Sequence, residues 1–201
     1  MPRGGEGAMK EAPKLLILDR DGVINEDRPD FVKSPEEWVP IPGSLEAVSE
    51  LSRAGYLLVL ATNQSAIGRG IIDMAVLNAI HAKLHRAVAE LGGHIDAIFF
   101  CPHAPDAGCA CRKPAPGMVL DIAKRFHVPP ADCLMVGDSL RDLQAVAAAG
   151  GKPLLVRTGN GARTEAKGDL PAGTQVFDNL AAVAQWLLKP RTHPDAPARD
   201  V

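Results

Sequence analysis

The sequence predicts an α/β domain built on a largely parallel central sheet with helices on both faces. Three observations predict it. From Lys14 onward, strand-length apolar runs alternate with stretches of helical periodicity, the pattern of a parallel sheet whose crossovers are helices. The 201 residues, 46% hydrophobic and 23% charged, suit one domain with a substantial core. Polar and acidic residues gather just after the predicted strands, the place where ligands bind in open parallel sheets.

The first strand is the apolar run 14–18, which leads into Asp19 and Asp21. Leu45, Val48 and Leu51 then recur at helical spacing, so an amphipathic helix is expected to pack on the sheet. The second strand, 56–61, runs into Thr62, Asn63, Gln64 and Ser65. Met74, Leu77, Ile80, Leu84, Val88 and Leu91 mark a long second helix, and the strand 95–100 opens onto a cysteine-rich loop ending in Arg112 and Lys113. After Pro116, the residues Val119, Ile122, Ala123 and Phe126 mark a third helix. The strand 134–136 ends in Gly137 and Asp138, with Asp142 one turn later, and a helix over 143–149 stops at Gly150 and Gly151. A strand at 154–156 and a helix through Leu180, Val183 and Leu187 complete a domain placed at residues 13–189. Residues 1–12, Gly-rich and polar without an apolar stretch, are expected to form a flexible leader and not a signal peptide; residues 190–201, with three prolines, form a loose tail.

A formal net charge of −2 and a pI near 6.3 give no reason to expect nucleic acid or an anionic membrane as partner. The longest apolar runs are strand-length, far below the ~20 residues of a membrane helix. The expectation is a cytoplasmic monomer acting on a small molecule.

Three carboxylates, a hydroxyl and a lysine should meet at one rim of such a sheet. Asp19 and Asp21, two apart at a strand exit, place both carboxyl groups on one side, and Gly22 permits a tight departure of the chain. One can attack a phosphoryl group while the other shuttles a proton. A divalent cation held by Asp19 and Asp138 would screen the repulsion, and oxygen-only ligands point to Mg²⁺. Thr62 and Lys113 supply a hydroxyl and a cation to the transferring group. Asn63, Gln64 and Ser65, beside Thr62, lean toward substrate contact, and Arg69 between two glycines leans the same way. Asp142 reads equally as the acidic first-turn residue of a helix and as a neighbour of the metal. His81, His85, His94 and His127 read as surface or helix-face residues, and Cys133 as a small core residue.

Cys101, His103, Cys109 and Cys111 match the donor set of a closed tetrahedral zinc site with no position left open for substrate. Arg112 follows directly and, as a planar fork, suits a second anionic group on the substrate.

DRDGVIN at 19–25, an apolar strand closing on Thr62, Lys113, and GDSLRD at 137–142 resemble, in order and spacing, the four motifs of the haloacid-dehalogenase (HAD) phosphohydrolase superfamily. The resemblance implies a Rossmann-like HAD fold, with Asp19 as a nucleophile that forms an aspartyl-phosphate. It makes Asp21 the acid and base, its backbone carbonyl helping to hold Mg²⁺. The zinc loop followed by CRKPAPGM, with TNQSAIGRG at 62–70, is similar to the D-glycero-D-manno-heptose 1,7-bisphosphate 7-phosphatase family. That resemblance implies removal of the 7-phosphate in ADP-heptose and lipopolysaccharide-core synthesis, with substrate contacts at Asp27, Asn63, Gln64, Ser65 and Arg112. Two departures stand out: only five residues separate His103 from Cys109, and 27–31 reads DRPDF where Asp-x-Gly-Tyr is usual. Histidinol-phosphate phosphatase is the alternative within the superfamily, and a non-catalytic zinc-stapled phosphosugar-binding module the alternative from another class. The motif spacing leaves room for a short flap and single helices but no cap domain, so the site should be open.

Overall fold

In chain order the computed structural model, which describes residues 14–189, runs β1 (Leu15–Leu18), α1 (Ser44–Arg53), β2 (Leu57–Asn63), α2 (Ser65–Gly68), α3 (Met74–Glu90), β3 (Ala97–Cys101) and α4 (Gly117–Phe126). A 3-10 turn at Pro130–Asp132 precedes β4 (Leu134–Gly137), followed by α5 (Leu140–Ala148), β5 (Lys152–Val156), α6 (Gly161–Lys167), β6 (Gln175–Phe177) and α7 (Leu180–Leu188). The leader expected at 1–12 and the tail expected at 190–201 lie outside the described residues.

The strand order is β3-β2-β1-β4-β5-β6, and every neighbouring pair is parallel, where a largely parallel sheet was expected. The chain winds outward from β1 to β3, then returns to lay β4 beside β1. The order therefore reverses between β1 and β4, the switch point at which doubly wound sheets open a crevice beyond their strand ends. Asp19 follows one of these two strands and Asp138 the other.

Both faces of the sheet are covered, which is why the strands read as continuous apolar runs. Leu16 and Leu18 of β1, with Leu58 and Leu60 of β2, pack under Val48, Leu51, Ile80, Leu84 and Val183 of α1, α3 and α7. The alternate residues Leu15, Ile17, Val59 and Ala61 face Val119, Ile122 and Val146 of α4 and α5. Each such side chain contributes roughly 1.5–3 kcal/mol on burial. The same alternation sends Arg20 toward α3 and Asp19 toward α5. Cys133 is a buried member of the α4/α5 core, as the sequence indicates.

Three elements have no counterpart in the sequence reading. β6 is a three-residue edge strand, α2 a single turn, and α6 (GARTEAK) carries no apolar stripe. β2 also continues past Ala61, so Thr62 and Asn63 are strand residues paired with Phe100 and Cys101 and not part of the following loop.

Between β1 and α1 the chain forms a short flap. The Glu26 amide donates to Val39 O at 2.9 Å and the Ile41 amide to Ile24 O at 2.9 Å. Buried Trp38 anchors the flap, and Lys83 of α3 donates to the Pro35 and Trp38 carbonyls at 2.6 and 2.9 Å. Among the described residues there is no cap domain, as the motif spacing predicts.

Candidate active site

The ammonium of Lys113 is buried 3.0 Å from Asp19 Oδ1 and 2.6 Å from Asp142 Oδ1, and it donates to Ala61 O at 2.7 Å. Burial dominates at Asp19 and, joined by Asp142, Asp138 and Asp21, outweighs Lys113 and pushes the carboxyl up to about 8. At Lys113 burial alone would favour the neutral amine, but Asp142 and Asp19 outweigh it and hold the pKa above the usual lysine value. Asp142 takes the first-turn role open to it in the sequence and adds a contact to Lys113. Its Oδ2 accepts from the Ser139 amide at 3.1 Å and from the Ser139 hydroxyl, a capping box at the start of α5. Its Oδ1 faces Lys113, so one carboxylate starts the helix and fixes the lysine.

Asn63 holds the lysine from the other side. Its amide accepts from Lys113 N at 3.2 Å and donates to Lys113 O at 3.0 Å. Expected on the substrate, this side chain is engaged with backbone, although the residue lines the cavity. Gln64 Nε2 bridges Asp21 Oδ2 and Thr62 Oγ1, both at 2.9 Å, and so links the acid–base candidate to the hydroxyl donor. Ser65 is buried at the start of α2 and borders the same cavity.

Asp21 accepts from Arg20 Nε at 3.1 Å, from Arg20 Nη2 at 3.0 Å on both oxygens, and from Asn25 Nδ2 at 2.9 Å. Burial pushes its pKa up, but Arg20, Asn25 and Gln64 together outweigh that and hold the carboxyl below its ordinary value.

Asp138 is packed by two glycines. A side chain at Gly22 (φ +82°) or Gly159 (φ +56°) would overlap Asp138 Oδ2, and both positions are left-handed, so glycine is required on two counts. The Asn160 amide donates to the same oxygen at 2.8 Å, and Asn160 Nδ2 reaches Asp27 Oδ2 at 2.8 Å, which brings the flap residue Asp27 to the rim. Burial, then Asp142, raises Asp138 to about 6. Asp19, Asp138 and Asp142 present oxygens within 4.8 Å of one another, against a single lysine. Three buried carboxylates so poorly neutralised suit a divalent cation with oxygen ligands. Asp19, Asp138 and the Asp21 carbonyl would hold it.

The second cluster closes with five residues between His103 and Cys109. Cys101 Sγ lies 3.5 Å from His103 Nδ1, 3.7 Å from Cys109 Sγ and 3.4 Å from Cys111 Sγ; Cys111 Sγ lies 3.3 Å from His103 Nδ1 and 3.6 Å from Cys109 Sγ. A tetrahedron with bonds of about 2.3 Å to sulfur and 2.0 Å to nitrogen has edges of roughly 3.5–3.8 Å, so the donor set fits Zn²⁺. All four cysteines are free thiols. Arg112 Nη1 donates to His103 O at 3.1 Å, which ties the guanidinium to this loop. Cys109→Ser should lower zinc stoichiometry by metal analysis and raise Michaelis constants through a loosened Arg112; unchanged zinc content would refute the staple.

Asp19, Asp21, Thr62, Arg112 and Arg141 border one open cavity of about 240 Å³. Arg69, open in the sequence to a phosphate contact or a solvated loop charge, lies with its guanidinium carbon 5.9 Å from the centre of the Phe31 ring of the flap. Of the two readings open to it, surface or helix face, His81 takes the second: it is buried, 7% exposed, with Nε2 at 3.5 Å from Arg20 Nη1. It occupies the inward stripe of α3 with Leu77, Ile80 and Leu84, a spacing that could have flagged it. Capping-box spacing could likewise have flagged the Ser139–Asp142 pair, whereas nothing in the sequence marks Asn160.

Burial, reinforced by Arg20 and His85 and opposed by Asp21, lowers His81 from 6.5 to about 4. The ring binds its proton more weakly folded than unfolded, so its contribution to stability is complete above about 6.5 and is lost as pH falls toward 4. Urea denaturation across that window should show His81→Gln losing a few kcal/mol less than the parent chain; identical pH slopes would mean the ring is not buried neutral.

A HAD-hydrolase-like family model matches residues 110–183. A D-glycero-β-D-manno-heptose-1,7-bisphosphate 7-phosphatase of Bordetella bronchiseptica is 61% identical over 88% of this chain and 98% of its own length. One of Neisseria meningitidis serogroup B is 52% identical over 91% and 99%. The crystal structure of the Bordetella bronchiseptica D,D-heptose 1,7-bisphosphate phosphatase complexed with magnesium and phosphate superposes with a TM-score of 0.86, at 62% identity, covering 87% of this chain and 98% of that one.

Proposed function

The chain belongs to the D-glycero-β-D-manno-heptose-1,7-bisphosphate 7-phosphatase family of HAD-like hydrolases, and from this premise we propose that it removes the 7-phosphate of that bisphosphate. The observation that carries the chemistry is Lys113, buried between Asp142 and Asp19, where Asp19 and, two residues after it, Asp21 border one open cavity.

Asp19 attacks phosphorus; as its oxygen bonds to phosphorus, the bond from phosphorus to O7 breaks and O7 takes a proton from Asp21, which must first bind that proton from solvent against the pull of Arg20, Asn25 and Gln64. In the second step water attacks the aspartyl-phosphate and gives its proton to Asp21, and the Asp19–phosphorus bond breaks. Lys113 and the Thr62 hydroxyl face the charge that spreads over the transferring group. Mg²⁺, when bound, supplies charge neutralisation to the phosphate oxygens. Asp27 and Ser65 line the sugar's approach, and Gln64 orients Asp21 and Thr62.

No helix among the described residues is long and apolar enough to cross a membrane. The proposed setting is the cytoplasm, with the chain acting as a monomer on a phosphorylated sugar made for ADP-heptose synthesis. Phosphate release from both heptose bisphosphate anomers and from histidinol phosphate, with Mg²⁺ present, tests the reading. The β anomer should be turned over best; faster release from histidinol phosphate would overturn it.

Arg112, tied to the zinc loop and bordering the cavity, is the proposed grip on the phosphate that does not react. Arg112→Ala should raise the Michaelis constant for the bisphosphate by on the order of 10-fold, the worth of a charge-assisted hydrogen bond, and affect a simple monophosphate less. Equal losses on both substrates would remove the role.

A further inference from the structure

We propose that Arg20 and His81 are positioning residues that aim the Asp21 carboxyl at the leaving oxygen. The proposal rests on the reading of Asp21 as acid and base given above. Arg20 is the middle residue of the Asp19–Asp21 turn and leaves the strand on the face packed by α3, where Leu16, Leu18, Ile80 and Leu84 form the core. It is 1% exposed, among the largest wholly buried side chains. A guanidinium in such a place costs several kcal/mol to desolvate, and an aliphatic side chain there would extend the core at no such cost. Packing does not account for it.

Its donors do. Nε and Nη2 grip Asp21 as a fork, at 3.1 and 3.0 Å on Oδ1 and 3.0 Å on Oδ2. Nη1, the remaining nitrogen, faces His81 Nε2 at 3.5 Å. His81 is the one polar residue on the buried stripe of α3, so it stands fixed by the helix and presents an acceptor to the back of the guanidinium. A fork bound in the plane of a carboxylate fixes its rotation as well as its charge. Asp21 is 22% exposed on its side chain, and its other side-chain partners among the described residues are Asn25 and Gln64, each through a single hydrogen bond. Without Arg20 it would be free to turn toward water, and small misplacements of a reacting group are costly. The chain of support therefore runs from α3 through His81 and Arg20 to Asp21, on the opposite side of the strand from Lys113.

The leaving group distinguishes this role from a merely structural one. An alkoxide leaves only with the proton of Asp21, whereas p-nitrophenolate leaves without one. First-turnover rates by rapid quench, on the full chain with Mg²⁺, are compared for the heptose bisphosphate and for p-nitrophenyl phosphate. Arg20→Met should slow the sugar phosphate by on the order of 10²-fold while the nitrophenol burst changes little. His81→Leu should show the same pattern more weakly, and His81→Gln, which keeps an acceptor, should restore the sugar phosphate rate. Equal loss on both substrates, or loss on neither, overturns the proposal. Asp21→Asn run alongside separates the two claims. If it lacks the leaving-group pattern, the reading of Asp21 fails; if it has the pattern and Arg20→Met does not, the positioning role fails. Should circular dichroism show Arg20→Met unfolded, the His81→Leu and His81→Gln pair decides by the same ratio.

Discussion

Asp19→Asn is expected to abolish turnover, by on the order of 10⁴-fold or more, the scale seen when a covalent nucleophile is removed. An amide has the shape of the carboxyl and can keep its contacts: the Asn Oδ1 can accept from the Arg20 amide and from Lys113, now at 2.7 and 3.0 Å from Asp19 Oδ1. The nitrogen it presents in place of the second oxygen does not attack phosphorus. The variant should nevertheless fold, and without added Mg²⁺ its melting temperature should equal or exceed that of the parent. Burial, with Asp142, Asp138 and Asp21 nearby, pushes Asp19 up to about 8. A carboxyl with a raised folded-state pKa binds its proton more tightly folded than unfolded, so its ionised form costs stability as pH rises from 3.8 toward 8. A neutral amide escapes that cost. Steady-state phosphate release and calorimetric melting check the two halves. Activity near that of the parent would mean another group attacks, and a marked fall in melting temperature would mean the carboxylate is structural.

Lys113→Met should lose activity on a comparable scale, on the order of 10³-fold, but with the opposite effect on stability. The ammonium is buried between two carboxylates, and removing one partner of such a set typically costs 3–5 kcal/mol because the charges left behind stay desolvated. The melting temperature should therefore fall. Lys113→Met with Asp142→Asn should recover part of that loss, since one stranded charge is gone, yet recover no activity. A double variant no more stable than Lys113→Met alone would show that the loss comes from packing of the four-carbon stem and not from charge.

The four motif positions could be read from the sequence because each lies within a few residues of a strand end, where local apolar runs predict the strand. Asp19, Asp21, Thr62, Lys113 and Asp138 do meet at one rim. The zinc donors were legible for a similar reason: four soft ligands within eleven residues need no distant partner to be recognised. The short spacing between His103 and Cys109 proves sufficient, since the four donor atoms come together at tetrahedral distances. The elements that escaped, β6 and α6, carry too few apolar residues for periodicity to register, and their place depends on β5 and the rim.

The sequence by itself determined the alternation of strand and helix, the polar residues gathered at the strand ends and the absence of a cap between the motifs, because all of these are local in the chain. Only the tertiary structure decided which residue serves which. Asn63 pairs with the backbone of Lys113, 50 residues away, and Arg20 meets His81 across 61. Asn160 joins Asp27 to Asp138 because β5 lies next to β4 and the loop after β5 crosses to the turn after β1, where the Thr158 hydroxyl donates to Gly22 O at 2.7 Å. Such pairings follow from strand order and from which face of a helix turns inward, and neither is written in any short stretch of residues.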